Sequence, residues 1–235
     1  MSGHRTRPSL WLTALFALAF AWAGVVGAVF AFAPNESVYR SLVVPEEPRE
    51  IVVRLPAGGT WSFSREMLVF LHRRTVAYVL SASPSLPTAP GGAAIYTANE
   101  SSHFADVRRV FDIVRAAAVA AGLVVLASAA WARRRGYLAR LVRNGAIAAA
   151  LLVVVIAAVF AVAFEPAFLA FHYLFFPEGN FLFDPATSNM LLVYPERYWY
   201  GITLRIGVAF IALAAIVAGL AALGERRASA IVPTT

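Results

Sequence analysis

The stretch Asn144–Phe164, NGAIAAALLVVVIAAVFAVAF, decides the fold. It carries no charged side chain, and about 20 apolar residues in a helix suffice to cross the hydrocarbon core of a bilayer. A soluble helix would show a polar face; this one has none. Three more stretches qualify as spans: Leu10–Ala33, Val110–Trp131 and Trp199–Leu223. The composition agrees. Over 235 residues, 60% are apolar and 14% charged, with a mean hydropathy of +0.70. Soluble domains hold roughly 25% charged residues, so a water-soluble globule is excluded, and so is a disordered chain. There is no cysteine, which removes disulfides, thiol catalysis and thiolate metal sites. Lysine is absent too, so Schiff-base and P-loop chemistry fall.

The first span has a rival reading. A basic start (His4, Arg5, Arg7) followed by an apolar run and Ala31-Phe32-Ala33 resembles a signal peptide. A signal core is about 7–15 residues long; this run is longer, and Pro34 follows the small-x-small site directly. An uncleaved span is the better reading. Charge then sets the orientation. The N-terminus, the 132–143 loop and the C-terminal tail together hold nine Arg against Glu225 alone. Leaving aside Glu165 at the end of the third span, the segments 34–109 and 165–198 hold nine Arg against ten acidic residues. Both termini are therefore expected in the cytoplasm, and the two long segments outside. The net charge of +7 reads as topology and not as a nucleic-acid surface.

The expected architecture is an all-α integral membrane protein. It is a single membrane domain over 1–235, a four-helix bundle with a small α+β extracytoplasmic cap at 34–109 between helices 1 and 2. In the cap, Glu50–Leu55 reads as a strand, Pro56-Ala57-Gly58-Gly59 as a turn, and Ser64 as the N-cap of a short helix through about His72. Val76–Leu80 reads as a second strand, and Ser81–Gly92 as a loop. Pro166 is expected to kink the end of the third span.

Few residues can carry chemistry. His103 precedes the second span, which runs inward, and His172 follows the third, which runs outward. The topology puts both at one depth near the outer interface. Two imidazoles there can act as base and acid on one substrate, or each can be an interfacial side chain with a wet tip. Asp106, three residues after His103, shares its face if Ser101 or Ser102 caps a helix there. It then orients the imidazole or pairs with Arg109. No metal-ligand spacing is present. Segment 165–198 reads as a re-entrant aromatic loop, because Phe171–Tyr200 holds 10 of the chain's 30 aromatics. Pro177–Asn180 and Asp184-Pro185 are turns. Between them Phe181, Leu182 and Phe183 are expected to dip toward lipid. Asn180 and Asp184 would cover part of the backbone there, and Phe171, Phe175 and Phe176 would complete an acyl pocket. Arg205, two turns into the fourth span, and Arg115, near the top of the second, either snorkel or hold a polar partner.

These residues resemble a known family. His172-Tyr173-Leu174-Phe175-Phe176, Gly179-Asn180, Leu182-Phe183-Asp184-Pro185, Thr187 and Tyr194-Pro195-Glu196 are similar to the signature of a bacterial integral membrane family that includes the lipoprotein intramolecular transacylase Lit. Ser102–Val107 resembles its second His-containing stretch. Phe181 departs from the pattern, standing where Trp is expected. The resemblance implies a cofactor-free reaction at the outer face of the cytoplasmic membrane. The sn-2 acyl chain of a diacylated lipoprotein would move to the N-terminal cysteine amine, with His103 and His172 as the family's two implicated histidines. The partners implied are membrane lipids and the lipoprotein N-terminus, with no nucleic acid. Asp106, Asn180, Asp184, Arg205 and Arg115 would support or orient. A non-enzymatic membrane module that binds lipid or protein through its cap is the alternative. A transporter fits less well, since no repeat is evident and no acid lies mid-span.

Overall fold

The computed structural model describes residues 7–43 and 50–230, with side chains through 227. His4 and Arg5 lie outside the described residues. The chain is mostly helical. Helices α1 (Leu10–Phe32), α4 (Ala98–Arg134), α5 (Leu138–Val162) and α8 (Glu196–Ala230) are long and apolar enough to cross a membrane. Between α1 and α4 lie α2 (Glu36–Val43), strands β1 (Glu50–Arg54) and β2 (Thr60–Ser64), and α3 (Arg65–Val79). Between α5 and α8 lie α6 (Phe164–Phe175) and the single turn α7 (Asn189–Val193).

The chain divides into two compact units, and α1, α4, α5 and α8 each contribute residues to both. The first takes residues up to Val29, Arg115–Ala158 and from Arg205 onward. Its core is built from small residues. Ala17, Ala21, Ala149 and Ala214 pack with Val153 around the buried ring of Phe210. Lipid tails are as apolar as leucine, so these helices gain by close approach and not by excluding water. Two glycines permit that approach: a Cβ on Gly24 would overlap the Phe210 ring, and one on Gly145 the Phe16 ring. At one end of this unit Glu225 receives Arg143 and, at 3.3 Å, Arg140.

The second unit takes Phe30–Val114 and Val159–Leu204. β1 and β2 form an antiparallel hairpin in the register Ile51 to Phe63 and Val53 to Trp61. Gly58 and Gly59, at φ of 99° and 84°, make the turn that the Pro-Ala-Gly-Gly sequence announced. Two expectations for this region are overturned, the end of the helix near His72 and the strand at Val76–Leu80. Val76–Leu80 is not a strand, because α3 continues to Val79. Leu68, Leu71, His72, Thr75 and Val79 form one buried helical stripe, and burial of that stripe outweighs a short β-branched run. The strand that pairs with β1 is instead Thr60–Ser64. Ser64 holds the N-cap position of α3, without a side-chain capping bond. His72 is wholly buried and lies flat on Tyr39, with ring centroids 3.9 Å apart. Burial lowers its pKa to about 4, against the pull of the Ala33 carbonyl, so it packs as a neutral ring.

The start of α4 is the third departure. The helix begins at Ala98, before Ser101 and Ser102, because Thr97 and Glu100 form a reciprocal capping box. Thr97 Oγ1 accepts from the Glu100 amide at 3.2 Å, and Glu100 accepts from the Thr97 amide at 2.8 Å. The kink expected from Pro166 at the end of the third span is a full break in the helix. α5 stops at Val162, Ala163 is non-helical, and α6 starts at Phe164. Pro166 offers no N–H to the Val162 carbonyl and its ring crowds it, so the break falls one turn ahead of the proline.

Gly145→Val should lower the thermal midpoint in detergent micelles, since overpacking of this kind costs about 1–3 kcal/mol. Gly122→Val, where a Cβ meets open space, should leave the midpoint nearly unchanged.

Candidate active site

All of the polar residues that converge around the histidines belong to the second unit. α4 carries His103, buried at 5% exposure. α6 carries His172, half-buried one turn from its end. The two rings face one another at 5.9 Å between centroids and 21° between planes. Aromatic side chains wall them. Phe176 lies 4.7 Å and Phe183 5.8 Å from His103, and Phe168 lies 4.1 Å and Phe181 5.2 Å from His172, all between ring centroids.

The protonation pattern of His172 follows from one contact. Its Nδ1 lies 2.7 Å from the Phe168 carbonyl, which can only accept, so Nδ1 carries the hydrogen. In the neutral ring Nε2 then holds the free electron pair. Burial among rings lowers the His172 pKa below the ordinary imidazole value, and the Phe168 carbonyl pulls the other way. At neutral pH the ring is a base ready to accept at Nε2.

His103 is set by its neighbours on α4. Asp106 does not stand free: one carboxylate oxygen pairs with Arg109 at 3.2 Å, and the other accepts from Asn180 Nδ2 at 2.7 Å. The Arg109 pair is thus present, and the second carboxylate oxygen goes to the loop and not to the His103 ring. A carboxylate only accepts, so the Asn180 amide nitrogen must point at Asp106. That leaves Asn180 Oδ1 buried with no hydrogen-bond partner, as is His103 Nδ1. Burial lowers the His103 pKa to about 4, the neighbouring His172 pushes the same way, and Asn180 and Asp106 pull against them without reversing the shift, so the resting ring is neutral. Ser102 Oγ, 3.4 Å from Asn180 Nδ2, is a further neighbour.

The aromatic loop differs from expectation. Phe181 is 8% exposed and Phe183 half-buried, both turned onto the histidine rings, while Leu182 between them is 63% exposed. Alternation along an extended segment aims 181 and 183 to one side. Phe183 thus packs on His103 and Phe181 on His172, and Leu182 is the exposed residue of the three. Phe171 and Phe175 lie on the outer side of α6, partly exposed, and Phe176 is buried. Asp184 is exposed and caps its own turn, accepting from the Ala186 amide at 2.9 Å. Arg115 and Arg205 belong to the first unit. Among the described residues no group of three His, Cys, Asp or Glu side chains is placed to hold a metal ion.

Glu100 is the residue the sequence reading passed over. It is 1% exposed and lies one turn before His103. The signal for it was the Thr97-x-x-Glu100 spacing of a capping box.

A family profile described as "Lipoprotein intramolecular transacylase Lit" matches residues 60–199, which include both histidines. The fold is similar to that of the membrane integral lipoprotein intramolecular transacylase Lit from Bacillus cereus, with a TM-score of 0.67 at 15% identity, covering 92% of this chain and 97% of that one. A variant of the same Bacillus cereus protein with a histidine-to-arginine substitution aligns at a TM-score of 0.68 and 16% identity, over 93% of each chain. No curated protein matches this chain.

Asp106→Ala should free the Asn180 end of the loop. Loss of a hydrogen bond to a charged group of this kind costs roughly 1.5–3 kcal/mol, so amide exchange across 179–184 should quicken by about tenfold or more. Asp106→Asn keeps an acceptor for Asn180 and should exchange like the wild type.

Proposed function

The chain belongs to the lipoprotein intramolecular transacylase Lit family, and from that premise we propose that it moves the sn-2 acyl chain of a diacylglyceryl lipoprotein onto the lipoprotein's N-terminal cysteine amine. The observation that carries this reading is the pair of facing imidazoles, 5.9 Å apart, inside an aromatic enclosure. The charge bias of the loops orients the chain with both termini in the cytoplasm, so the pair works at the outer leaflet.

The amine and the ester belong to one substrate molecule, so proximity comes largely with the substrate. The protein has to move one proton and shelter the tetrahedral oxyanion. The amine nitrogen attacks the sn-2 carbonyl carbon, a C–N bond forms, and His172 Nε2 takes the amine proton. As the carbonyl re-forms, the C–O bond to glycerol breaks and the oxygen leaves with the proton that His172 took, relayed through His103. Burial keeps His103 neutral at rest, with a pKa of about 4, and Asn180 and Asp106 steady the ring while it carries the proton. Overall one proton passes from nitrogen to oxygen, and both imidazoles end neutral, as they began. No serine or cysteine nucleophile is required, which suits a chain without cysteine. The Phe171, Phe175 and Phe176 side of α6 would receive the acyl chains.

The test is expression in cells whose lipoproteins are otherwise diacylated, with mass spectrometry of the N-termini. The wild-type chain should give lipoproteins with an amide-linked acyl group and a free glyceryl hydroxyl. His172→Ala and His103→Ala should each lower conversion by roughly 10²–10⁴-fold, the usual worth of a positioned acid or base. Unmodified termini in wild type and variants alike would end the proposal. Because the His172 pKa is lowered, its basic form persists on acidification past the ordinary imidazole value of 6.5. The acid limb of the rate profile should fall below that pH.

A further inference from the structure

Glu100, His103 and Asp106 recur at every third position along α4, and the loop between α6 and α7 is fastened to this helix at the two outer positions. At one, Asn180 Nδ2 donates to Asp106 at 2.7 Å. At the other, Glu100 accepts from Ser188 Oγ at 2.6 Å and from the Met190 amide at 2.8 Å through the same oxygen. Its second oxygen holds the Thr97 amide. A carboxylate at 1% exposure is costly to bury and tolerates burial here because neutral donors and the N-terminal end of α4 surround it. Capping α4 uses only one of its oxygens. The other is spent on a segment 88 residues away in sequence. Ser188 in turn caps α7, accepting from the Leu191 amide at 3.2 Å. Asn189, between them, donates to the carbonyls of Arg54 and Ile95 at 2.8 and 2.7 Å.

His103 lies on α4 between the two fastening points, and Phe181 and Phe183 lie in the loop between them. The length of loop that presses Phe183 on His103 and Phe181 on His172 is thus held at both ends by side chains of one rigid helix. We propose that Glu100 is a positioning residue for the acyl transfer: it anchors the far end of the aromatic loop and so sets the walls against which the two imidazoles are aligned. This rests on the transacylase reading given above. Glu100 transfers no proton in the step and touches no reacting atom; it acts through Ser188, Met190 and the loop.

The experiment uses the full chain in lipid nanodiscs with a synthetic diacylglyceryl lipopeptide as probe. Transfer to the peptide amine is followed by mass spectrometry for wild type, Glu100→Ala, Glu100→Gln and Ser188→Ala. Thermal midpoints and amide exchange over 177–193 are recorded beside the kinetics. Loosened alignment acts on the reacting geometry, so Glu100→Ala should lose roughly 10- to 100-fold in kcat, with KM for the lipopeptide moving by about twofold or less. Exchange over 177–193 should quicken. Glu100→Gln still presents an oxygen to Ser188 and Met190 and should recover most of the rate. Ser188→Ala, which keeps the Met190 contact, should fall between. The pH profile should keep its shape in all three.

Wild-type kcat in Glu100→Ala despite faster loop exchange would overturn the positioning role. So would a shifted pH profile in Glu100→Gln, which would make Glu100 a proton carrier. Equal losses of rate and thermal midpoint in Glu100→Gln and Glu100→Ala would reduce it to a folding element. A wild-type chain that transfers no acyl group would instead overturn the transacylase reading, and the positioning role with it.

Discussion

Hydrocarbon offers a peptide group no hydrogen bond, and the organisation of this chain follows from that. Backbone inside a bilayer must satisfy itself, which is why the apolar stretches are helical over almost their whole length. Irregular backbone has to supply its own partners. The aromatic loop does so at almost every turn. The Gly179 amide donates to the Phe176 carbonyl, the Ala186 amide to the Asp184 side chain, the Ser188 amide to the Asp184 carbonyl, and the Met190 amide to Glu100. The polar residues scattered among the phenylalanines are therefore the means by which a non-helical, aromatic-rich segment can exist beside a membrane helix.

The same constraint shapes the imidazole pair. Rings surrounded by phenylalanine are driven toward the neutral, proton-accepting state, and both histidines sit below the ordinary imidazole pKa for that reason. The Asn180–Asp106 contact beside His103 opposes that effect in part. Two identical side chains 5.9 Å apart are thereby made different by their neighbours, one tied to a carbonyl acceptor and the other facing an amide and a carboxylate. Division of labour between like groups generally arises in this way.

In the first unit the helices pack by different means. There is no hydrophobic drive between them, so alanine and glycine permit contact that larger residues would block, and bulky rings such as Phe210 and Phe16 fill the space left. That core carries no chemistry. The charge-bearing contacts near it, Arg140 and Arg143 with Glu225, lie where the chain leaves the apolar stretches.

Span length, the absence of thiol and amine chemistry, and the approach of His103 to His172 were legible in the chain, because each depends on composition or on helix rise, and both are additive along a sequence. The hairpin turn at Gly58-Gly59 was legible for a similar reason: glycine alone adopts that backbone without strain. The extent of α3, the start of α4 and the inward aim of Phe181 and Phe183 were not. Val76–Leu80 has the composition of a strand and becomes helix because its stripe is buried against other segments. Glu100 looks like a surface acid and is buried because Ser188 and Met190 come to it from 88 and 90 residues away. Local pattern records what a residue prefers in isolation; which oxygen of a carboxylate is used, and which face of a ring is covered, depends on partners that only folding brings near.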